Sequence, residues 1–122
     1  MVSRLDHDAN VRPWVQAAER QGVEVRWLEL DPATAELDLG PLGTTVDERT
    51  RLVAVTGASN LLGTVPRHRT ISDRAHAVGA LLYVDGVHLT AHRLPDLATL
   101  GADLFVCSPY KFFGPHLSLI HI

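Results

Sequence analysis

Three groups of polar residues stand directly behind three short apolar runs of the sequence. They are Ser59 and Asn60 behind LVAVT (52–56), Asp85 and His88 behind ALLYV (80–84), and Ser108, Tyr110 and Lys111 behind LFVC (104–107). Ligands of open α/β sheets bind beyond the carboxyl ends of the strands, so these groups are expected to face one crevice. The sequence predicts a site with an amide, a carboxylate beside an imidazole, and an amine beside hydroxyl groups.

This set of side chains suits the chemistry of pyridoxal 5'-phosphate (PLP). A lysine amine forms a Schiff base with an aldehyde, and Lys111 is the only lysine of the chain. A carboxylate such as Asp85 keeps a pyridine nitrogen protonated, which makes the ring an electron sink for a neighbouring carbanion. Hydroxyl groups and loop N–H groups hold a phosphate.

Other interpretations of the same residues remain open at this stage. A single lysine is most often a solvated surface residue, and an aspartate before Gly86 is also typical of a simple turn. His88 and His92 have the i, i+4 spacing of a metal-binding pair, to which Asp85 could add a third ligand. The chain could also be a non-catalytic α/β fragment, or a regulator derived from an enzyme fold.

The elements that must position these residues alternate between helix and strand. The three apolar runs are typical of buried strands, and the helical segments between them imply right-handed crossovers. We therefore expect an α/β fold with a mostly parallel sheet and helices on both faces. The other expected elements are a helix over 10–21 with Asn10 as its N-cap, a half-buried strand over 23–30, a loop over 31–43, a brief helix ending near Arg49, and helices over 70–78 and 96–100.

Composition excludes several classes of function. The chain has 122 residues, the size of one domain or part of one, and a formal net charge of -3, which does not favour nucleic acid or anionic lipid as a partner. No apolar run reaches the ~20 residues that span a bilayer, and no signal peptide is recognisable. The single cysteine, Cys107, cannot form an intramolecular disulfide and is consistent with a reducing, cytoplasmic location.

Four segments of the sequence resemble a known enzyme family. They are LDHDANVRPW (5–14), SNLLGTVP (59–66), AHAVGALLYVDGVH (75–88) and LGADLFVCSPYKFFGPH (100–116). Together they look like the class V aminotransferase and cysteine desulfurase family, a group of fold-type I PLP enzymes. The resemblance implies a PLP-dependent lyase or transferase that acts on an amino acid, and typically a homodimer. The DGVH and SPYK variants look like a desulfurase-like subgroup.

The resemblance also implies a role for each matching residue. Lys111 matches the lysine that forms the internal aldimine and shuttles the proton, and Asp85 matches the partner of the pyridinium nitrogen. His7 matches the histidine that stacks on the ring and, with Lys111, completes the expected catalytic pair. The remaining cofactor-binding matches are His88 at the ring hydroxyl, Asn60 near the ring oxygen and substrate carboxylate, and Ser108 and Tyr110 at the phosphate.

The resemblance further implies that the chain is an internal fragment. Residues 1–116 correspond to part of the large, PLP-binding domain, without the upstream phosphate loop or the downstream substrate arginine. The isolated chain is therefore expected to be inactive. Residues 117–122 (LSLIHI) look like a translated sequencing adapter, and a native β-strand is the alternative.

Overall fold

A six-stranded sheet and a separate two-stranded hairpin form the β-structure of this chain. The computed structural model describes all of residues 1–122. In chain order the strands are β1 (Val2–Ser3), β2 (Trp27–Leu28), β3 (Leu30–Asp31), β4 (Glu36–Leu37), β5 (Leu52–Thr56), β6 (Leu81–Asp85), β7 (Leu104–Cys107) and β8 (Leu119–His121). The sheet has the order β2-β1-β5-β6-β7-β8 and is parallel except for the edge pair β7–β8, while β3 and β4 form the hairpin.

Short helices connect the strands. They are α1 (Arg12–Gln21), α2 (Leu42–Thr45), α3 (His68–Ala77), α4 (Leu89–His92) and α5 (Leu97–Leu100), and two 3₁₀ turns lie at Asp8–Asn10 and Pro109–Phe112. None of them has the length and apolar character that crossing a membrane would require. The expected α/β class with a mostly parallel sheet is confirmed.

The apolar runs form the centre of the sheet because their side chains fill the core. Val53, Val55, Leu82 and Val84 have no exposed surface. Burial of an aliphatic side chain of this size contributes roughly 1.5–3 kcal/mol, so these two strands account for much of the driving force for folding. Phe105 of β7 adds to the same core.

Two of the expected helices lie close to their predicted positions. The helix expected over 70–78 begins two residues earlier, at His68, and is followed by Gly79 with a left-handed φ of 75°. The helix expected over 96–100 is α5, which begins at Leu97. The side chain of Asp96 caps it by accepting from the backbone N–H groups of Ala98 and Thr99.

The predicted strand over 23–30 is wrong in extent. Only Trp27–Leu28 pairs with the sheet, because β1, its partner, is itself two residues long. Leu30–Asp31 leaves the sheet and pairs with Glu36–Leu37 instead, inside the segment that was expected to be a loop. Val23 is 61% exposed, so the alternating pattern here does not mark a buried face.

Two further expectations at helix ends are also wrong. The side chain of Asn10 does not cap α1, because its amide donates to Asp6 and accepts from Trp14. The brief helix expected to end near Arg49 is α2, which ends at Thr45. A turn replaces its continuation, in which Asp47 accepts from the backbone N–H of Arg49.

The last residues form the edge strand β8. Leu119–His121 pairs antiparallel with Cys107–Phe105, and all three of its side chains are exposed. The structure therefore contains a strand where the alternative interpretation of LSLIHI expected one. An adapter origin for residues 117–122 stays a prediction.

We predict that Gly86→Ala destabilises the chain. A Cβ atom at Gly86 would lie 1.9 Å from Cζ of Phe105, a buried core residue. Overpacking of this kind typically costs about 1–3 kcal/mol, which a urea unfolding curve measures.

Gly43→Ala is the matched control for this variant. A Cβ atom at Gly43 meets nothing within 4 Å and the residue lies in α2, so alanine is expected to be neutral or stabilising by up to ~1 kcal/mol. Equal unfolding midpoints for the two variants would contradict the packing described for Gly86.

Candidate functional site

The register of the central strands brings their carboxyl ends to one edge of the sheet. Thr56 of β5 is paired with Asp85 of β6, and Asp85 is paired with Val106 of β7. Backbone hydrogen bonds continue past the strands, from Gly57 N–H to the Asp85 carbonyl and from Gly86 N–H to the Val106 carbonyl, both at 2.7 Å. The turns that carry the predicted site residues therefore begin side by side.

Asp85 is the carboxylate of this edge. Its Oδ1 accepts from the backbone N–H of Val87 at 3.0 Å, which fixes the orientation of the side chain. Burial raises the pKa of Asp85, while the Val87 N–H and the positive charges of His7 and Lys111 act in the opposite direction. His7 and Lys111 therefore both lie within electrostatic reach of this carboxylate.

Lys111 lies in the 3₁₀ turn that directly follows β7. Its backbone N–H donates to the Ser108 carbonyl at 2.9 Å, and its side chain is exposed with Nζ 5.7 Å from the ring centre of Tyr110. The Gly114 N–H closes the turn by donating to the Pro109 carbonyl at 2.8 Å. A side chain at Gly114 would come within 2.7 Å of Pro109 Cβ, so the tight turn requires glycine there.

His7 reaches the same edge after β1, the strand that pairs with β5 on the side away from β6. It follows β1 and precedes the 3₁₀ turn Asp8–Asn10. Its imidazole is exposed, and Nδ1 accepts from the backbone N–H of Ala9 at 3.1 Å. With Nδ1 acting as an acceptor, any ring proton of a neutral His7 resides on Nε2.

His88 is the fourth titratable group near this edge. Its ring centre lies 4.6 Å from that of His92, in an edge-to-face arrangement. Burial, His92 and Lys111 all lower the pKa of His88, which favours the neutral imidazole. Nowhere in the 122 residues do three side chains of metal-binding type gather, so the alternative metal site at Asp85, His88 and His92 has no support.

The side chains of the remaining predicted residues make no hydrogen bonds to the side chains of this group. Ser108 is buried at the end of β7, and Tyr110 is exposed with its ring stacked on His116 at 4.8 Å. Asn60 is exposed in the turn after β5. That turn is anchored by Ser59, whose buried hydroxyl accepts from the N–H groups of Leu61 and Leu62.

Sequence reasoning missed Asp6, a carboxylate next to His7. Its oxygens accept from the Ser3 hydroxyl and from the Asn10 amide, and the residue is half-buried. Burial raises the pKa of Asp6 to about 6, and the nearby Asp85 carboxylate contributes in the same direction. The signal in the sequence was the spacing of Ser3, Asp6 and Asn10, which places two donors around one acidic residue.

A cavity of about 490 Å³ lies elsewhere, between α1 and the amino ends of the strands. Met1 and Leu52, which line it, stand at the starts of β1 and β5, and Trp14 lines it from the helix. This cavity contains none of the predicted site residues. Two surface features are therefore available to a ligand, at opposite edges of the sheet, and only the carboxyl edge has the expected chemistry.

The fold is similar to that of two cysteine desulfurases of known structure. Cysteine desulfurase CsdA from Escherichia coli superimposes with a TM-score of 0.91 at 29% identity, covering 98% of this chain and 30% of that one. Cysteine desulfurase from Thermococcus onnurineus gives a TM-score of 0.89 at 26% identity, covering 99% and 30%.

The sequence comparisons identify the family. Residues 1–116 match the family described as aminotransferase class-V. The chain belongs to this family. It is 39% identical to the aminotransferase-like protein FGM3 of Gibberella zeae and 43% identical to a cysteine desulfurase of Pectobacterium carotovorum, covering 99% and 94% of this chain. It spans only 31% and 28% of the length of these two relatives.

We predict that Asp85→Asn stabilises the chain increasingly as the pH rises. A carboxyl group with a raised pKa in the folded state contributes stability at low pH and loses it as the pH rises from its ordinary value of 3.8 through the folded value. Asparagine keeps the acceptor for Val87 and has no such penalty. The variant should gain on the wild type in urea unfolding as the pH rises above about 3.8.

Asp96→Asn is the control of opposite sign. Hydrogen bonds from Thr99 and Ala98 lower the pKa of Asp96, so the wild-type carboxylate contributes stability that is lost as the pH falls. The wild type should therefore gain on Asp96→Asn as the pH rises. The same slope for both variants would contradict the burial described for Asp85.

Proposed function

We propose that this chain is the cofactor-holding part of a PLP-dependent enzyme that acts on an amino acid. Support comes from the class V family and above all from one observation. Asp85, at the end of β6, lies within electrostatic reach of His7 and Lys111, which come from two distant segments of the sequence. A carboxylate, an imidazole and an amine at one sheet edge are the groups that PLP chemistry uses.

The residues of this edge fit the functional groups of PLP. Burial makes the Asp85 carboxylate a strong proton acceptor, and a protonated ring nitrogen opposite it would offset the cost of that buried charge. Lys111 is the only lysine, its side chain is exposed, and it lies in a turn rather than along a helix. Ser108 offers a hydroxyl group at the end of the neighbouring strand.

When bound, PLP supplies an electron sink for the bond that breaks at the substrate's α-carbon. In our proposal Lys111 Nζ would condense with the cofactor aldehyde, with loss of water, and would carry the transferred proton. Asp85 would keep the ring nitrogen protonated by pairing with it, and His7 would stack on the ring. His88, whose lowered pKa favours the neutral imidazole, would hydrogen-bond the ring hydroxyl. Asn60, Ser108 and Tyr110 would contact the ring oxygen and the phosphate.

The same family supports a substrate class and an assembly for this proposal. An amino acid substrate, a lyase or transferase reaction, a cytoplasmic location and a homodimer are all part of this proposal. Because the chain spans less than a third of the relatives named above, these properties concern the whole protein to which such a chain contributes.

We predict that PLP attaches to Lys111 and gives a near-visible absorption band. Borohydride reduction should fix the label, and mass spectrometry of the digested protein should find it on the peptide that contains Lys111. Lys111→Ala should lose both the band and the label. The only other amine, the N-terminus of Met1, is engaged with the Leu52 carbonyl at 2.7 Å at the opposite edge of the sheet.

The control variant for specificity carries its single lysine at a different position of the chain. Arg69 is an exposed residue of α3 that pairs with Asp73, so Arg69→Lys in the Lys111→Ala background restores one exposed lysine. No band should return. A band of equal strength in this double variant would show that any exposed lysine reacts, and would overturn the assignment of Lys111.

A further inference from the structure

The Asp6 carboxylate joins the end of β1 to the turn that carries His7. It accepts from the Ser3 hydroxyl and from the Asn10 amide nitrogen, the latter at 2.6 Å. Ser3 belongs to β1, and Asn10 ends the 3₁₀ turn after His7. One side chain therefore holds both ends of the segment that carries His7.

The contacts continue from Asn10 to the strand that carries Asp85. The Asn10 side-chain oxygen accepts from the indole N–H of Trp14 at 3.0 Å. The indole ring packs edge-on against Tyr83, with ring centres 5.1 Å apart. Tyr83 lies on β6, two residues before Asp85. Each member of this chain of contacts is satisfied, and none is exposed enough to be replaced freely by water.

We propose that Asp6 is a positioning residue of the carboxyl edge, whose carboxylate holds the turn that presents His7. What His7 then does rests on the proposed function. The hydrogen bonds of Asp6 do not depend on PLP, so this role can be tested in the chain without cofactor.

The test without cofactor follows the turn that holds His7. The Ala9 amide donates to His7 Nδ1, so its hydrogen exchange reports whether the turn is intact. Asp6→Ala should increase that exchange by about tenfold or more, equivalent to about 1.4 kcal/mol of local stability. An unchanged rate would overturn the positioning role. If this variant fails to fold, Asp6→Asn, which keeps only one acceptor oxygen, is used for the exchange measurement.

Two control variants separate positioning from general destabilisation. Ser72→Ala removes a buried hydroxyl that donates to the Gly101 carbonyl, away from this edge. Asp8→Asn removes an exposed charge that pairs with Arg12, on the other side of His7. Neither should change the Ala9 exchange relative to neighbouring amides. An equal effect of Ser72→Ala would show that Asp6 serves stability alone.

Addition of PLP then distinguishes this inference from the proposed function. If the wild type gives no lysine-dependent absorption band, the proposed function fails for this chain, while the exchange measurement without cofactor still decides the role of Asp6. If the band forms and Asp6→Ala weakens it more than Ser72→Ala does at matched stability, both are supported. An equal weakening by the two variants counts against the positioning role.

Discussion

The in-register pairing of β5, β6 and β7 is the constraint on which the rest of this structure depends. It places Thr56, Asp85 and Val106 next to one another, and two backbone hydrogen bonds of 2.7 Å carry the pairing into the turns that follow. Burial of the apolar side chains favours that register, because a one-residue slip of β6 would turn its buried Leu82 and Val84 to the more exposed side of the strand. The polar turns at the carboxyl edge are therefore positioned by the hydrophobic core, and their own contacts only refine the arrangement.

The same edge concentrates charge at a cost in stability. Burial raises the pKa of two carboxylates, Asp6 and Asp85, and the charge of Asp85 raises the pKa of Asp6 further. His7 and Lys111 oppose this effect at Asp85, yet both are exposed and largely solvated, so they compensate only in part. An edge that disfavours its own ionised carboxylates binds a cationic group well. A pyridinium nitrogen, the partner that we propose for Asp85, is such a group.

The sequence was most informative where hydrophobic pattern decides structure. The three buried runs predicted β5, β6 and β7 and the residues at their ends, since a fully buried strand needs consecutive apolar residues.

The sequence was least informative where pairing depends on a distant partner. The strand expected over 23–30 is reduced to Trp27–Leu28 because β1 offers only two residues, and no local pattern reports that length. Asn10 has the residue type of an N-cap, but its side chain instead donates to Asp6 and accepts from Trp14. Asp6 itself was missed because its importance comes from the hydrogen bonds that Ser3 and Asn10 donate to it in the folded chain.

The central claim is that the carboxyl edge, and not the cavity beside α1, is the ligand site of this chain. Titration of ¹⁵N-labelled protein with PLP, followed by amide chemical shifts, tests it most directly. The account predicts that the changes concentrate in the turns after β5, β6 and β7 and around His7, with little change at Trp14 or Met1. Changes confined to the cavity at the amino ends of the strands would contradict it, as would the absence of any change at Asp85 and Lys111.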